Sequence, residues 1–255
     1  MGRRLENKVA IISGGATGVG GAASRLFATE GARVAVVDIN EEEAERTAQQ
    51  IRSAGGQAMV VVADVSQAAA VDNAVAQVVR QWGTVDVLFN HAGTLVVKAF
   101  LDTTEEDWDR LMAINVKSMY LVTRAVLPHM LKARRGAIVC TSSISAVAGT
   151  PFEVLYDTSK GACHMFSRAI AVEYRDRGIR CNAVCPGFVR TPHGLREVAD
   201  LQQQGVDVSE AALALAQGRM CEPEEVAAAA LFLASDEASF VNGTHLFVDN
   251  GFTAI

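Results

Sequence analysis

Val9-Ala10-Ile11-Ile12-Ser13-Gly14-Gly15-Ala16-Thr17-Gly18-Val19-Gly20 decides the architecture. Four consecutive apolar residues read as a strand buried on both faces, and a run of glycines then turns the chain before helical spacing begins at residue 20. The same alternation continues downstream. Short β-rich runs at 34–37, 59–62, 85–89, 137–140, 179–184 and 246–248 are separated by helical spacing over 20–30, 41–53, 67–82, 105–133, 155–177 and 223–233. Strand, helix, strand in this rhythm predicts right-handed crossovers and a seven-stranded parallel sheet with helices on both faces, a doubly wound α/β fold. Residues 191–218 lack a strand pattern and read as a helical excursion after the sixth strand.

The 255 residues are half hydrophobic, and no low-complexity linker interrupts them, so one domain spanning 1–255 is expected. A net charge of −6 argues against a nucleic-acid surface or an anionic membrane as partner, since both reward clustered Lys and Arg. The charged start and the short apolar segment after it fit neither a signal peptide nor a membrane span, and Glu6 stands where a myristoylation signal at Gly2 wants Ser or Thr. The cytoplasm is the expected compartment. Cys140, Cys163, Cys181, Cys185 and Cys221 are dispersed in apolar surroundings and read as reduced core residues. With five scattered histidines, no metal site is expected.

Open parallel sheets bind ligands at the carboxyl ends of their strands. After the first strand, the turn through Gly14, Thr17, Gly18, Val19 and Gly20 brings backbone close to any pyrophosphate held at the following helix N-terminus. Its spacing, G-x-x-x-G-x-G, departs from the common G-x-G-x-x-G, and alone it serves structure as readily as binding. Asp38 ends the second strand, where a carboxylate accepts from both ribose hydroxyls of an adenosine and repels a 2′-phosphate. No Lys or Arg lies between Gly14 and Gly20 to compensate such a phosphate, so NAD is expected over NADP. The alternative role for Asp38, capping the next helix, belongs better to Asn40 by position. Further on, Tyr156 and Lys160 share a helix face, and a neighbouring ammonium is expected to lower the phenol pKa toward that of a general base. Ser143 follows the fifth strand at the same sheet edge.

Gly14, Gly18 and Gly20, the segment Asn90-His91-Ala92-Gly93, Asn115, Ser143, Tyr156 with Lys160, and Pro186-Gly187 stand in the order and spacing of the short-chain dehydrogenase/reductase family, which the chain resembles over nearly its whole length. The resemblance implies a Rossmann-like fold and a tetrad of Asn115, Ser143, Tyr156 and Lys160. In that scheme Tyr156 exchanges a proton with a secondary alcohol as hydride passes to or from nicotinamide. Lys160 lowers the Tyr156 pKa and holds the nicotinamide ribose, Ser143 binds the substrate oxygen, and Asn115 supports a water linking Lys160 to solvent. The resemblance also assigns cofactor contacts to Asp64 and Val65 after strand three, Asn90, Ala92 and Gly93 after strand four, and Pro186, Gly187, Val189 and Thr191 after strand six. A homotetramer follows by the same analogy. His91 replaces a usual Asn and Asn250 a usual Gly, departures that leave the tetrad untouched.

The substrate end is expected between residues 145–155, 95–100 and the 191–218 excursion, the last acting as a lid. Val147, Phe152, Leu155, Phe188 and Leu195 suggest an apolar or cyclic secondary alcohol or ketone. Two rival readings are an NADPH-dependent 3-oxoacyl-carrier-protein reductase and a non-catalytic NAD-binding regulatory protein on the same fold.

Overall fold

A computed structural model describes residues 3–254, so Gly2 lies outside the described residues. Its elements in chain order are β1 (Val9–Ser13), α1 (Gly18–Thr29), β2 (Arg33–Asp38), α2 (Glu41–Ser53), β3 (Gln57–Val62), α3 (Ala68–Trp82), β4 (Val87–Asn90), α4 (Glu105–Met112), α5 (Ser118–Ala133), β5 (Gly136–Thr141), α6 (Val154–Tyr174), β6 (Ile179–Pro186), α7 (Pro192–Gln203), α8 (Glu210–Gln217), α9 (Pro223–Ala234) and β7 (His245–Val248). The strands form one parallel sheet in the order β3-β2-β1-β4-β5-β6-β7.

The apolar runs are buried on both faces because side chains alternate across a strand. Ala10, Ile12, Val34 and Val36 pack under α1, α2 and α9. Val9, Ile11, Ala35 and Val37 pack on the opposite face, under α3, α5 and α6. Each fully buried Val or Ile contributes about 1.5–3 kcal/mol, so a polar residue in any of these runs would open the layer it faces.

Two segments depart from the periodicity. The helical spacing over 105–133 is broken by a π turn, Ala113–Lys117, between α4 and α5. There the Asn115 side chain leaves the helix for Thr94 and Ser159, and the Asn115 backbone carbonyl accepts from the Cys163 thiol at 3.2 Å. An inserted residue in the hydrogen-bond ladder is the local price of those outside contacts. The fourth strand starts at Val87 rather than 85 because Asp86 substitutes its carboxylate for a ladder carbonyl, accepting from the Val9 amide at 2.9 Å. The excursion at 191–218 is helical, comprising α7 and α8.

Strand order reverses direction between β1 and β4, and the registers Ser13↔Asn90, Asn90↔Cys140 and Thr141↔Val184 bring these carboxyl ends level. A crevice opens at such a switch point because successive crossovers diverge to opposite faces.

Candidate active site

A cleft of about 490 Å³ occupies that crevice. Its first wall is the glycine turn, held by side chains that satisfy the backbone from behind. The Ala16 amide donates to Asp38 Oδ2 at 3.1 Å, the Thr47 hydroxyl to the Ala16 carbonyl at 2.7 Å, and the Ser24 hydroxyl to the Gly15 carbonyl at 3.0 Å. Ser13 Oγ accepts from the His91 and Ala92 amides at 3.1 and 3.3 Å, tying the turn after β4 to the turn after β1. Gly14 has φ +66°, and a Cβ there would stand 2.9 Å from the Ala92 Cα, so only glycine fits. Thr17, at the N-cap of α1, makes no side-chain cap bond, and the first turn has no acidic residue. The amides of that turn therefore face the cleft without a partner from the capping side chain, an arrangement that fits an anion such as a pyrophosphate.

The cleft continues along the strand ends. Asp38, Asp64 and Val65 line it, with no Lys or Arg among the described residues that line the cleft at that end. Asp38 Oδ1 accepts from the Asn40 amide at 3.0 Å, while Asn40 itself caps α2 by accepting from Glu43. Ser66 donates to Asp64 through both amide and hydroxyl, and these bonds hold its carboxyl below the usual value. Ala92 and Gly93 form the middle of the wall, and Pro186, Gly187, Val189 and Thr191 the side after β6.

Three expected cofactor or tetrad residues stand off the cleft. Gly20 is behind the turn, where a Cβ would collide with the Gly14 carbonyl oxygen; its smallness shapes the loop rather than touching a ligand. The Asn90 side chain points into the helix layer and donates to Thr123 Oγ1 at 2.9 Å. Asn115 is fully buried beneath the cleft, accepting from the Thr94 amide at 2.7 Å and donating to the Thr94 carbonyl and Ser159 Oγ, both at 2.9 Å. It braces the segment after Gly93 against α6.

Ser143, Tyr156 and Lys160 meet at the far end. The Ser143 hydroxyl donates to Ser145 Oγ and accepts from the Ser145 amide, each at 3.1 Å. Lys160 donates to the Thr141 carbonyl at 3.2 Å, and its Nζ lies over the face of the Tyr156 ring, 5.5 Å from the centroid. This placement corrects the expected electrostatics. The Tyr156 pKa is raised well above its ordinary value, first by burial and then by the carboxyls of Glu197 and Glu153, with the Ser143 hydroxyl opposing the rise. Burial likewise lowers the Lys160 pKa. The ammonium over the ring face, itself desolvated, is outweighed by burial of the phenol and then by the carboxyls nearby.

Spacing alone did not single out the groups that surround the phenol. His193 and Glu197, one turn apart on α7, both line the cleft, as do Ser142, Ser145, Thr150 and Arg196. The signal lay in their i,i+4 placement on the excursion, visible only once α7 is known to line the cleft. His91, in place of the usual Asn, accepts or donates to Thr141 Oγ1 at 3.0 Å, and burial holds its pKa down near 3. Of the apolar side chains expected at this end, Phe188 lines the cleft, whereas Val147 and Leu195 are exposed and Leu155 packs with Leu95 and Leu111.

Comparison with known proteins agrees with this geometry. The family described as Enoyl-(Acyl carrier protein) reductase matches residues 14–253. Cyclopentanol dehydrogenase of Comamonas testosteroni is 42% identical over 255 residues, covering 98% of this chain and 99% of that protein. The 2,5-dichloro-2,5-cyclohexadiene-1,4-diol dehydrogenase of Sphingobium indicum is 36% identical over 99% of both. Among solved structures, levodione reductase superimposes with a TM-score of 0.94 at 30% identity, covering 98% of this chain and 99% of that one. With a family model over most of the chain, relatives above 30% identity along its whole length and a superimposable fold, the chain belongs to the short-chain dehydrogenase/reductase family, whose members use a nicotinamide cofactor.

Proposed function

We propose that the protein is an NAD-dependent dehydrogenase of cyclic secondary alcohols, working reversibly on the matching ketones. The observation that carries this reading is the meeting of Ser143, Tyr156 and Lys160 with the glycine turn in one cleft. The bound nicotinamide supplies the ring carbon that takes or gives hydride. Tyr156 exchanges the proton of the substrate oxygen, and Ser143 hydrogen-bonds that oxygen as its charge changes. Lys160 holds the nicotinamide ribose and adds positive potential beneath the phenol. With its pKa raised, Tyr156 keeps its proton at neutral pH and is ready as the donor for ketone reduction, so alcohol oxidation gains as the medium becomes alkaline. Asn115 acts by bracing the floor of the cleft.

NAD rather than NADP is favoured by the Asp38 and Asp64 carboxylates at the adenosine end, which repel a 2′-phosphate. A cyclic substrate is favoured by the names of two relatives, one acting on cyclopentanol and one on a cyclohexadienediol. Residues 191–218, with α7 over the cleft, serve as the lid of one 1–255 domain. Met165 and Val172, exposed seven residues apart on α6, offer a face for further copies, in keeping with a homotetramer. Five free, buried cysteines suit the reducing cytoplasm.

The test is a panel of cyclic and open-chain secondary alcohols assayed with NAD and with NADP by absorbance of the reduced nicotinamide. Turnover of cyclopentanol or cyclohexanol with NAD at higher kcat/KM than with NADP is the expected result. Failure of every alcohol and ketone with both cofactors overturns the reading, and preference for NADPH with 3-oxoacyl thioesters replaces it with the rival reductase.

A further inference from the structure

The wall opposite Tyr156 is charged, which a monofunctional apolar alcohol does not require. His193 lies 6.5 Å from the Tyr156 ring, centroid to centroid, and Glu197 follows one turn later on the same helix face. Both line the cleft together with Ser145 and Thr150. Glu197 is half-buried and has no hydrogen-bond donor among the described residues, and burial raises its pKa to about 7. It is close enough to Tyr156 to be the strongest influence on the phenol after burial. An acceptor so placed, facing the cavity without a donor, is satisfied by whatever enters.

We propose that the substrate carries a second hydroxyl near the reacting carbinol and that Glu197 accepts its hydrogen bond, which makes Glu197 the residue selecting diols over monoalcohols. The proposal rests on the alcohol dehydrogenase reading above. The charge pattern argues for a neutral donor. Lys160 and Arg196 lie near enough to the Glu197 carboxyl to disfavour a cationic ligand, while the Asp157 carboxylate beside it disfavours an anionic one. A hydroxyl meets the acceptor without adding charge of either sign. A hydrogen bond to a charged group discriminates by roughly 10- to 100-fold.

The test compares cyclopentanol with cis- and trans-1,2-cyclopentanediol in the parent enzyme, Glu197→Gln and Glu197→Leu. The quantity read is the diol-to-monoalcohol ratio of kcat/KM. Any effect of Glu197 on Tyr156 acts on both substrates and cancels in it. One diol isomer is expected to exceed the monoalcohol by about tenfold or more in the parent. Glu197→Leu should lower that ratio roughly 10- to 100-fold, and Glu197→Gln, which keeps a carbonyl acceptor, by less. Calorimetric titration of the same alcohols into the enzyme–NADH complex reads the preference without turnover. A ratio unchanged in Glu197→Leu, or a parent that prefers the monoalcohol in both assays, overturns the assignment while leaving the dehydrogenase reading in place. A parent inert toward every secondary alcohol, with NADH titration intact and no tighter binding of the diol, overturns both.

Discussion

At the glycine-turn end of the cleft the backbone is tied from behind by the neutral hydroxyls of Ser13, Ser24 and Thr47 and by the Asp38 carboxylate. At the α7 end, ionisable groups crowd the phenol with few partners: Glu153 lacks any for its two oxygens, and Asp157 has one, the Thr150 amide at 2.9 Å. The first end is held mainly by neutral hydroxyls. The second holds protons whose positions depend on what lies beside them, which is where proton chemistry belongs. Tyr156→Phe should break the pair most sharply. Loss of the exchangeable proton is expected to lower kcat by about 10²–10⁴-fold, while NADH affinity, measured by fluorescence titration, stays within about twofold. A parallel loss of NADH affinity would mean that the two ends are not independent.

Changes at the quiet end should act on binding and fold. Gly20→Ala places a Cβ against the Gly14 carbonyl. The overpacking is expected to cost about 1–3 kcal/mol and to lower Tm by ~2–4 °C per kcal/mol, with weaker NAD binding as the turn shifts. An unchanged Tm and Kd would show that the turn has room to give. Asp38→Ala should act more narrowly. Removing the charge leaves Asp64 alone at that end, and the NAD-to-NADP ratio of kcat/KM is expected to fall by about tenfold, the equivalent of ~1.4 kcal/mol. An unaltered ratio would remove Asp38 from cofactor choice.

The same contrast explains what was legible in the sequence. The sheet, its strand ends and the glycine turn follow from local rules: apolar runs, turn residues and a carboxylate closing β2. Lys160 and Tyr156 could be paired from spacing, yet the sign of the phenol's shift could not. It is set first by burial of the phenol, and then by Glu197, forty-one residues after Tyr156, and Glu153, three residues before it. Burial of those carboxyls is a tertiary fact. Asn115 was legible as a site residue but not as a brace, because the π turn that frees its side chain breaks the helical period only in three dimensions. The polar lining escaped for the same reason: Leu195 and Glu197 lie in one amphipathic segment, and nothing local says which of them faces the cleft.

Glu153 offers the finest test of the contrast. Fully buried, it has its pKa raised from 4.5 to about 9, by burial first and then by Glu197 and Asp157. Between those values the folded chain keeps a proton that the unfolded chain releases. Folded protein then binds more protons than unfolded, so stability is greatest below pH 4.5 on this account and falls as pH rises toward 9. Asp157, raised to about 6, and Glu197, raised to about 7, add slopes of the same sign over narrower windows. Glu153→Gln keeps the side-chain shape and removes the titration. Its amide leaves donors unpaired, which lowers Tm at every pH, so the slope and not the absolute value is the readout. The parent should lose several degrees more than the variant between pH 5 and 8.5 in differential scanning calorimetry. Equal slopes would mean that Glu153 finds solvent or a partner in the folded chain, and the crowding of acids around Tyr156 would then rest on Asp157 and Glu197 alone.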